Sequence, residues 1–274
     1  MAARALPDHP HPILSVVGTR PEAIKMAPVV SALASRPALK QQVLLTGQHI
    51  GLERSFPRAA VDSLNLNLRD QSVPRLRDTL TGAISTYLEA SPAALVIVQG
   101  DTTSALAGAL AARQRGIPVA HVEAGLRSHK PEPWPEESNR VAIDAVADIL
   151  FAPTPAAAAN LAAEQVAGAI HVNGNSGIDA LLHACESAAC PDPAAGRKRI
   201  LVTCHRRENR SGPLQDICGA LKRLVSEMPV EIVFPLHPNR HTRSAIEAAL
   251  GGVPHIALVE PVAYPDMVRL IQSC

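Results

Sequence analysis

The side chains with which this chain could do chemistry gather in short polar clusters, each placed directly after an apolar run. Gly18-Thr19-Arg20-Pro21-Glu22-Ala23-Ile24-Lys25 follows such a run and puts Pro21 in what would be the first turn of a helix, where proline is tolerated. Free backbone N–H groups at a helix start, with Arg20 and Lys25 beside them, would suit a phosphate. The same residues also read as a plain strand-to-helix turn with solvated cations, because the pattern is neither G-x-G-x-x-G nor a P-loop. In Gly100-Asp101-Thr102-Thr103-Ser104, either Asp101 or a hydroxyl could cap the next helix. Glu123 and Arg127 lie in HVEAGLR, where a Glu has no capping duty before Gly125. A carboxylate at that rim, near Asp101 on a neighbouring strand, suits general acid–base work, since close carboxylates push their pKa values apart.

Two further clusters complete the set. The loop KPEPWPEESNR carries three prolines, the only Trp and three Glu, and Pro135-Glu136-Glu137 can open a helix with its acids in the favourable first turn. Helix-start chemistry alone explains the two Glu; a proline-stiffened loop with a lone Trp also fits a cover over a site. His205-Arg206-Arg207-Glu208-Asn209 follows ILVTC without a break. It reads either as a solvated basic turn or as an anion clamp with His205 as donor.

The elements that must position these clusters follow a β–α rhythm. ILSVVG (13–18), QQVLLTG (41–47), AALVIVQG (93–100), IPVAHVEAG (117–125), the end of VAIDAVADILFAPT (141–154) and AIHVNG (169–174) are short apolar runs separated by helix-length segments. Being continuously apolar rather than alternating, they predict parallel strands covered by helices on both faces. A second cycle opens after about Asn173, with strands expected at 199–204, 230–235 and 255–260 and a helix from about Pro213. The expected organisation is a flexible leader (1–12), a first Rossmann-like domain (13–172) and a second, partial one (173–274). Ligands of such sheets bind outside the carboxyl ends of the strands, which is where the clusters fall.

Composition narrows the function classes. The chain has 274 residues, 47% apolar, with a formal net charge of +1, so no global field draws it to nucleic acid or an anionic membrane. Three Phe, two Tyr and one Trp are too few for base-stacking platforms. Five Cys with no C-x-x-C pair suggest neither a disulfide framework nor a zinc site, and fit a reducing cytoplasm. No apolar run approaches the roughly 18 residues of a membrane span.

Taken in order, GTRPEAIKMAP, TGQH, GDTTS, IPVAHVEAGLRS, PWPEESNR, FAPT, GNSGIDAL, VTCHRREN and PLHPN resemble the non-hydrolysing UDP-N-acetylglucosamine 2-epimerases, from about Ile13 to Cys274. The resemblance implies an α/β fold of two doubly wound, Rossmann-like domains facing a cleft, as in GT-B glycosyltransferases. It implies no metal and no cofactor, UDP-N-acetylglucosamine and UDP as small-molecule partners, and a cytoplasmic homodimer. The implied reaction inverts C2 of the sugar by eliminating UDP and adding it back through an enzyme-held 2-acetamidoglucal. Carried over by motif, Asp101, Glu123 and Glu136 are acid–base candidates, and His205 is a catalytic donor to the UDP phosphate. Arg20, Lys25 and Arg206 join Asp101, Glu123 and His205 as substrate-binding candidates. Gln48, His49 and Arg207 match the site at which a second UDP-N-acetylglucosamine activates some members.

This chain departs from the family pattern at specific places. The family's GQHRE is GQHIG here, with Ile50 for the usual Arg, and Cys204 stands where the family has Gly before HRREN. The family also continues beyond the position of Cys274 into a D-S-G-G-x-Q-E-E segment that contacts UDP, so the second domain is expected to be incomplete and activity reduced. Two other readings stand beside an epimerase: a catalytically weak UDP-sugar-binding or subunit-interaction module, and a glycosyltransferase-like enzyme, against which PWPEE and HVEAGLR argue.

Overall fold

A computed structural model describes residues 11–66, 68, 71–130, 132–186, 196–204, 213–236 and 239–274, apart from the His241 side chain. Two compact units are present, the first extending to Ala180 and the second starting at Leu181, a few residues beyond the boundary expected at 173.

The first unit alternates strands and helices: β1 (Ile13–Val17), α1 (Arg20–Ala34), β2 (Gln41–Leu45), β3 (Ala60–Ser63), α2 (Val73–Ala90), β4 (Leu95–Gln99), α3 (Thr103–Gln114), β5 (Val119–Val122), α4 (Glu136–Val146), β6 (Ile149–Ala152), α5 (Pro155–Ala163) and β7 (Ala169–Val172); α6 (Ser176–Glu186) begins in it and runs past the Ala180 boundary. All its strands run parallel in the order β3-β2-β1-β4-β5-β6-β7. Strand order therefore reverses between β1 and β4, the doubly wound layout read from the sequence. β3 is an addition to the expected strands. Its AVDS segment is mostly exposed at the sheet edge, so it lacks the apolar run that announces a buried strand.

Side-chain alternation splits each central strand between two cores. Leu14 and Val16 of β1, Leu44 of β2, Val96 and Val98 of β4 and Val119 of β5 face one cluster. Ile13, Val17, Val43, Leu45, Ile97, Ala120 and Val122 face the other. Full burial of each Leu, Ile or Val contributes about 1.5–3 kcal/mol relative to exposure. Helix α3, with Ala105, Ala107, Ala109, Ala111 and Ala112 all buried, uses small residues to lie close beneath the sheet.

The second unit carries β8 (Lys198–Leu201), α7 (Pro213–Glu227), β9 (Val230–Pro235), α8 (Arg240–Leu250), β10 (Ile256–Val259) and α9 (Tyr264–Gln272). Its described strands are the three expected, all parallel, in the order β10-β9-β8. Ile232, Phe234 and Leu236 pack there against Leu214, Cys218, Ile246 and Leu250. Cys204 joins this core at 8% exposure.

Gly125 tests how tightly the β5 turn is built. Its φ is +80°, and a Cβ there would lie 2.3 Å from the Ala157 carbonyl oxygen. Gly125→Ala should lower the unfolding free energy by about 2–4 kcal/mol, the sum of left-handed strain and overpacking. Gly82→Ala, in α2 with open space at its Cβ, should instead raise it by up to about 1 kcal/mol. Urea midpoints of both variants against the parent chain measure the two shifts.

Candidate active site

The clusters singled out in the first unit lie at the carboxyl ends of β1, β2, β4 and β5, or in the first turn of α4. Glu22, not among the expected site residues, anchors the first of them. It is 1% exposed, and its carboxylate accepts from the Gly18 N–H at 3.1 Å, the Thr19 N–H at 2.6 Å, the Thr19 hydroxyl at 2.7 Å and the Thr102 hydroxyl at 2.8 Å. The last bond ties the β1–α1 turn to the β4–α3 turn across the point where strand order reverses. Thr102 also accepts from the Ala105 N–H at 3.0 Å, so it caps α3 and leaves the Asp101 carboxylate free of that duty. Gly18 is required by close approach: a Cβ would lie 2.0 Å from the Ser104 hydroxyl oxygen.

Asp101 and Glu123 follow the neighbouring strands β4 and β5, and each is held by its own cation. Arg140 of α4 pairs with the Asp101 carboxylate, while Asn139 Nδ2 donates to the Asp101 carbonyl oxygen at 2.9 Å. Lys25 Nζ donates to both Glu123 oxygens, at 2.9 and 2.7 Å, and Gln99 Nε2 donates to one of them at 3.1 Å. The Glu123 backbone is left-handed, with φ of +73°, and its N–H donates to the Phe151 carbonyl oxygen at 3.1 Å. Strain of this kind costs about 1–3 kcal/mol and concentrates at functional sites.

Helix α4 opens on two acids with different surroundings. Glu137 is buried and accepts from the Ser128 and His129 N–H groups at 2.8 and 3.3 Å and from Arg140 at 2.8 Å. Glu136 is half-buried, and its side chain makes no hydrogen bond among the described residues. Behind them, Asp144 meets His121 at 2.6 Å, Arg127 at 2.8 Å and the Gly125 N–H at 3.1 Å. Burial opposes the Arg127 charge, but hydrogen bonds to Glu164 and Asp144 carry its pKa above the ordinary value.

Arg20 belongs to a different wall. It lines a cavity of about 630 Å³ with Gly47, Gln48, His49, Ile50, Leu66, Leu68 and Leu76. The Arg20 N–H donates to His49 Nδ1 at 3.1 Å, and Gln48 accepts from the Ser104 hydroxyl at 2.8 Å. Burial, then the Arg20 charge, lowers the His49 pKa from its usual value. The structure thus places Lys25 with Glu123, and Arg20 with Gln48 and His49. His205, Arg206 and Arg207 lie outside the described residues. Among the described residues, no three His, Cys, Asp or Glu side chains gather as a metal-binding group, and no helix is long and apolar enough to cross a membrane.

Sequence reasoning missed the supporting residues Glu22, Gln99, His121, Glu137, Asn139, Arg140 and Asp144. A signal existed for two of them: His121 interrupts the apolar run IPVAHV, and Asp144 the apolar stretch VAIDAV. A titratable residue on an otherwise buried face demands a partner.

Burial pushes the Glu22 carboxyl above its ordinary value, and the bonds from Thr19, Thr102 and Gly18 pull it back only in part. A raised folded-state pKa stabilises the fold while the group is protonated, and that contribution is lost as pH rises through the raised value. The melting temperature of the parent chain minus that of Glu22→Gln should therefore fall as pH rises through and above the ordinary carboxylate range, then level off. Thermal unfolding of both proteins from acid to neutral pH checks the sign.

Comparisons with known proteins bear on the family. A family model described as UDP-N-acetylglucosamine 2-epimerase matches residues 31–274. A probable UDP-N-acetylglucosamine 2-epimerase of Ralstonia nicotianae is 38% identical over 95% of this chain and 75% of its own length. The UDP-N-acetylglucosamine 2-epimerase of Escherichia coli K12 is 36% identical over 94% of this chain and 74% of its own. A crystal structure of UDP-GlcNAc 2-epimerase from Neisseria meningitidis, bound to UDP-GlcNAc, matches with a TM-score of 0.87 at 35% identity, covering 95% of this chain and 75% of that one. The parallel sheet, the carboxylates at its carboxyl edge and these likenesses converge, and the chain belongs to the UDP-N-acetylglucosamine 2-epimerase family.

Proposed function

We propose that this chain interconverts UDP-N-acetylglucosamine and UDP-N-acetylmannosamine, with Asp101, Glu123 and Glu136 supplying the acid–base groups. The observation that carries this reading is the Glu123 carboxylate, held by Lys25 and Gln99 on a left-handed backbone beside the turn that bears Asp101. Chemistry at C2 needs such groups. The C2 proton of the sugar is not acidic, so the C1–O bond must break with its electron pair passing to UDP while a base removes the C2 proton. A C1–C2 double bond forms; UDP oxygen then adds back to C1 and a proton returns to the opposite face of C2.

Charge must be offset where UDP departs. Two of the three Lys25 ammonium protons are engaged by Glu123, which leaves one for a phosphate oxygen. Arg20 and Lys25 offset the diphosphate charge in this reading, and His205 and Arg206 join them on the strength of their motif. Gln48, His49 and Arg207 are the residues for a second nucleotide sugar, supported for the first two by the cavity they share with Arg20. A cytoplasmic homodimer completes the reading, on family likeness.

Incubating the chain with UDP-N-acetylglucosamine in deuterated water should give the manno epimer with deuterium at C2. Asp101→Asn and Glu123→Gln should each lower turnover by about 100-fold or more, the scale of a lost acid–base group. UDP binding without C2 exchange would favour the non-catalytic nucleotide-sugar module instead.

A further inference from the structure

His121 has no part in the chemistry above, yet it bonds the turn that carries Asp101 directly and the turn after Glu123 through Asp144. It lies on β5, two residues before Glu123, and is 0% exposed. Its Nε2 is 2.8 Å from the Gly100 carbonyl oxygen, which can only accept, so Nε2 is the donor. Its Nδ1 is 2.6 Å from Asp144 Oδ1, a contact that must share a further proton. The Gly100 carbonyl belongs to the peptide bond leading into Asp101. Asp144 sits on α4, the helix whose Arg140 and Asn139 hold Asp101, and its other oxygen accepts from Gly125 and Arg127 in the turn after Glu123.

We propose that His121 is a positioning residue for the reaction, fixing the Gly100–Asp101 peptide against α4 and so setting the Asp101 carboxylate relative to that of Glu123. This rests on the reading of Asp101 and Glu123 as acid–base groups. Any buried histidine needs partners for its ring nitrogens, so it is the identity of those partners that points to positioning. Here Nε2 is committed to the peptide leading into Asp101 and Nδ1 to Asp144 of α4, which in turn holds the turn after Glu123, and nothing else described bonds to the Gly100 carbonyl oxygen. A small rotation of that peptide would swing the Asp101 side chain away from its partner groups, and misplacement by about 1 Å can cost about 100-fold in rate.

Two amide variants separate the two bonds. In His121→Gln the amide reaches the place of Nε2 and can still donate to Gly100; in His121→Asn it reaches the place of Nδ1 and can donate only to Asp144. Both should lose comparable melting temperature. His121→Asn should lower kcat for C2 inversion by about 10–100-fold with KM changed less than about 2-fold, whereas His121→Gln should stay within about 10-fold of the parent. An activity-independent reading comes from the Gly100 N–H, which donates to the Val122 carbonyl oxygen at 3.0 Å. Its hydrogen exchange should quicken by about 10-fold or more in His121→Asn and change little in His121→Gln.

Equal kcat and equal Gly100 exchange in the two variants would overturn the proposal and leave His121 as a core residue. Asp101→Asn assayed alongside keeps the two questions apart. Full turnover in Asp101→Asn would sink the acid–base reading, and with it the catalytic meaning of the positioning, whatever the exchange data show. If Asp101→Asn is inactive but the two His121 variants behave alike, only the positioning role fails.

Discussion

The site depends on buried carboxylates that accept backbone N–H groups where the chain leaves a parallel strand or folds back toward a helix. A turn at a strand end presents N–H groups that the sheet no longer satisfies, and leaving such a group buried and unpaired costs about 1–3 kcal/mol. Here Glu22 accepts from Gly18 and Thr19, Asp144 from Gly125, and Glu137 from Ser128 and His129. A buried carboxylate is itself expensive unless surrounded by donors or cations. Arg127 and His121 serve Asp144, Arg140 serves Glu137, and hydroxyls alone serve Glu22 beside its backbone donors. Burial raises the Glu22 pKa, and these donors offset it only in part.

With the turns held by these acids, another set of side chains is left for chemistry. Thr102 caps α3, so Asp101 is not consumed as a cap; Glu137 anchors the loop, so Glu136 is not consumed as an anchor. Adjacent residues thus divide the work: one of each pair stabilises and the other stays available. Glu123 shows the cost of the arrangement, since a Glu at positive φ is tolerated only where its surroundings over-determine it. The Phe151 carbonyl oxygen below, with Lys25 and Gln99 at the carboxylate, supplies that constraint.

Much of this was legible in the sequence because it rests on short-range signals. Continuous apolar runs ending in GTRPE, GDTTS and HVEAG located β1, β4 and β5 and put the polar clusters at their carboxyl ends. A strand without such a run, β3, stayed hidden because its edge position exposes three of its four residues. Partnerships were less legible. Lys25 looked like a phosphate ligand, and nothing local says that its ammonium lies within 3 Å of a carboxylate 98 residues away. Nothing local names the partners of Arg140 and Asp144 either, because the groups they serve lie on β5 and in the turns after β4 and β5.

The packing of α3 explains why the cavity and the acid–base groups form parts of one structure. Its alanines let the helix approach the sheet closely, and that approach brings the Ser104 hydroxyl within 2.8 Å of both Thr46 and Gln48. The same hydroxyl leaves no room for a side chain at position 18, so the β1–α1 turn must start with glycine. From that turn the Arg20 N–H reaches His49 on the cavity wall, Glu22 reaches Thr102 under Asp101, and Lys25 reaches Glu123. A bulkier α3 would separate these contacts together, because each depends on where the single turn from Gly18 to Lys25 sits. Position of the turn is therefore set by core volume, and chemistry at the sheet edge inherits its geometry from the alanines beneath it.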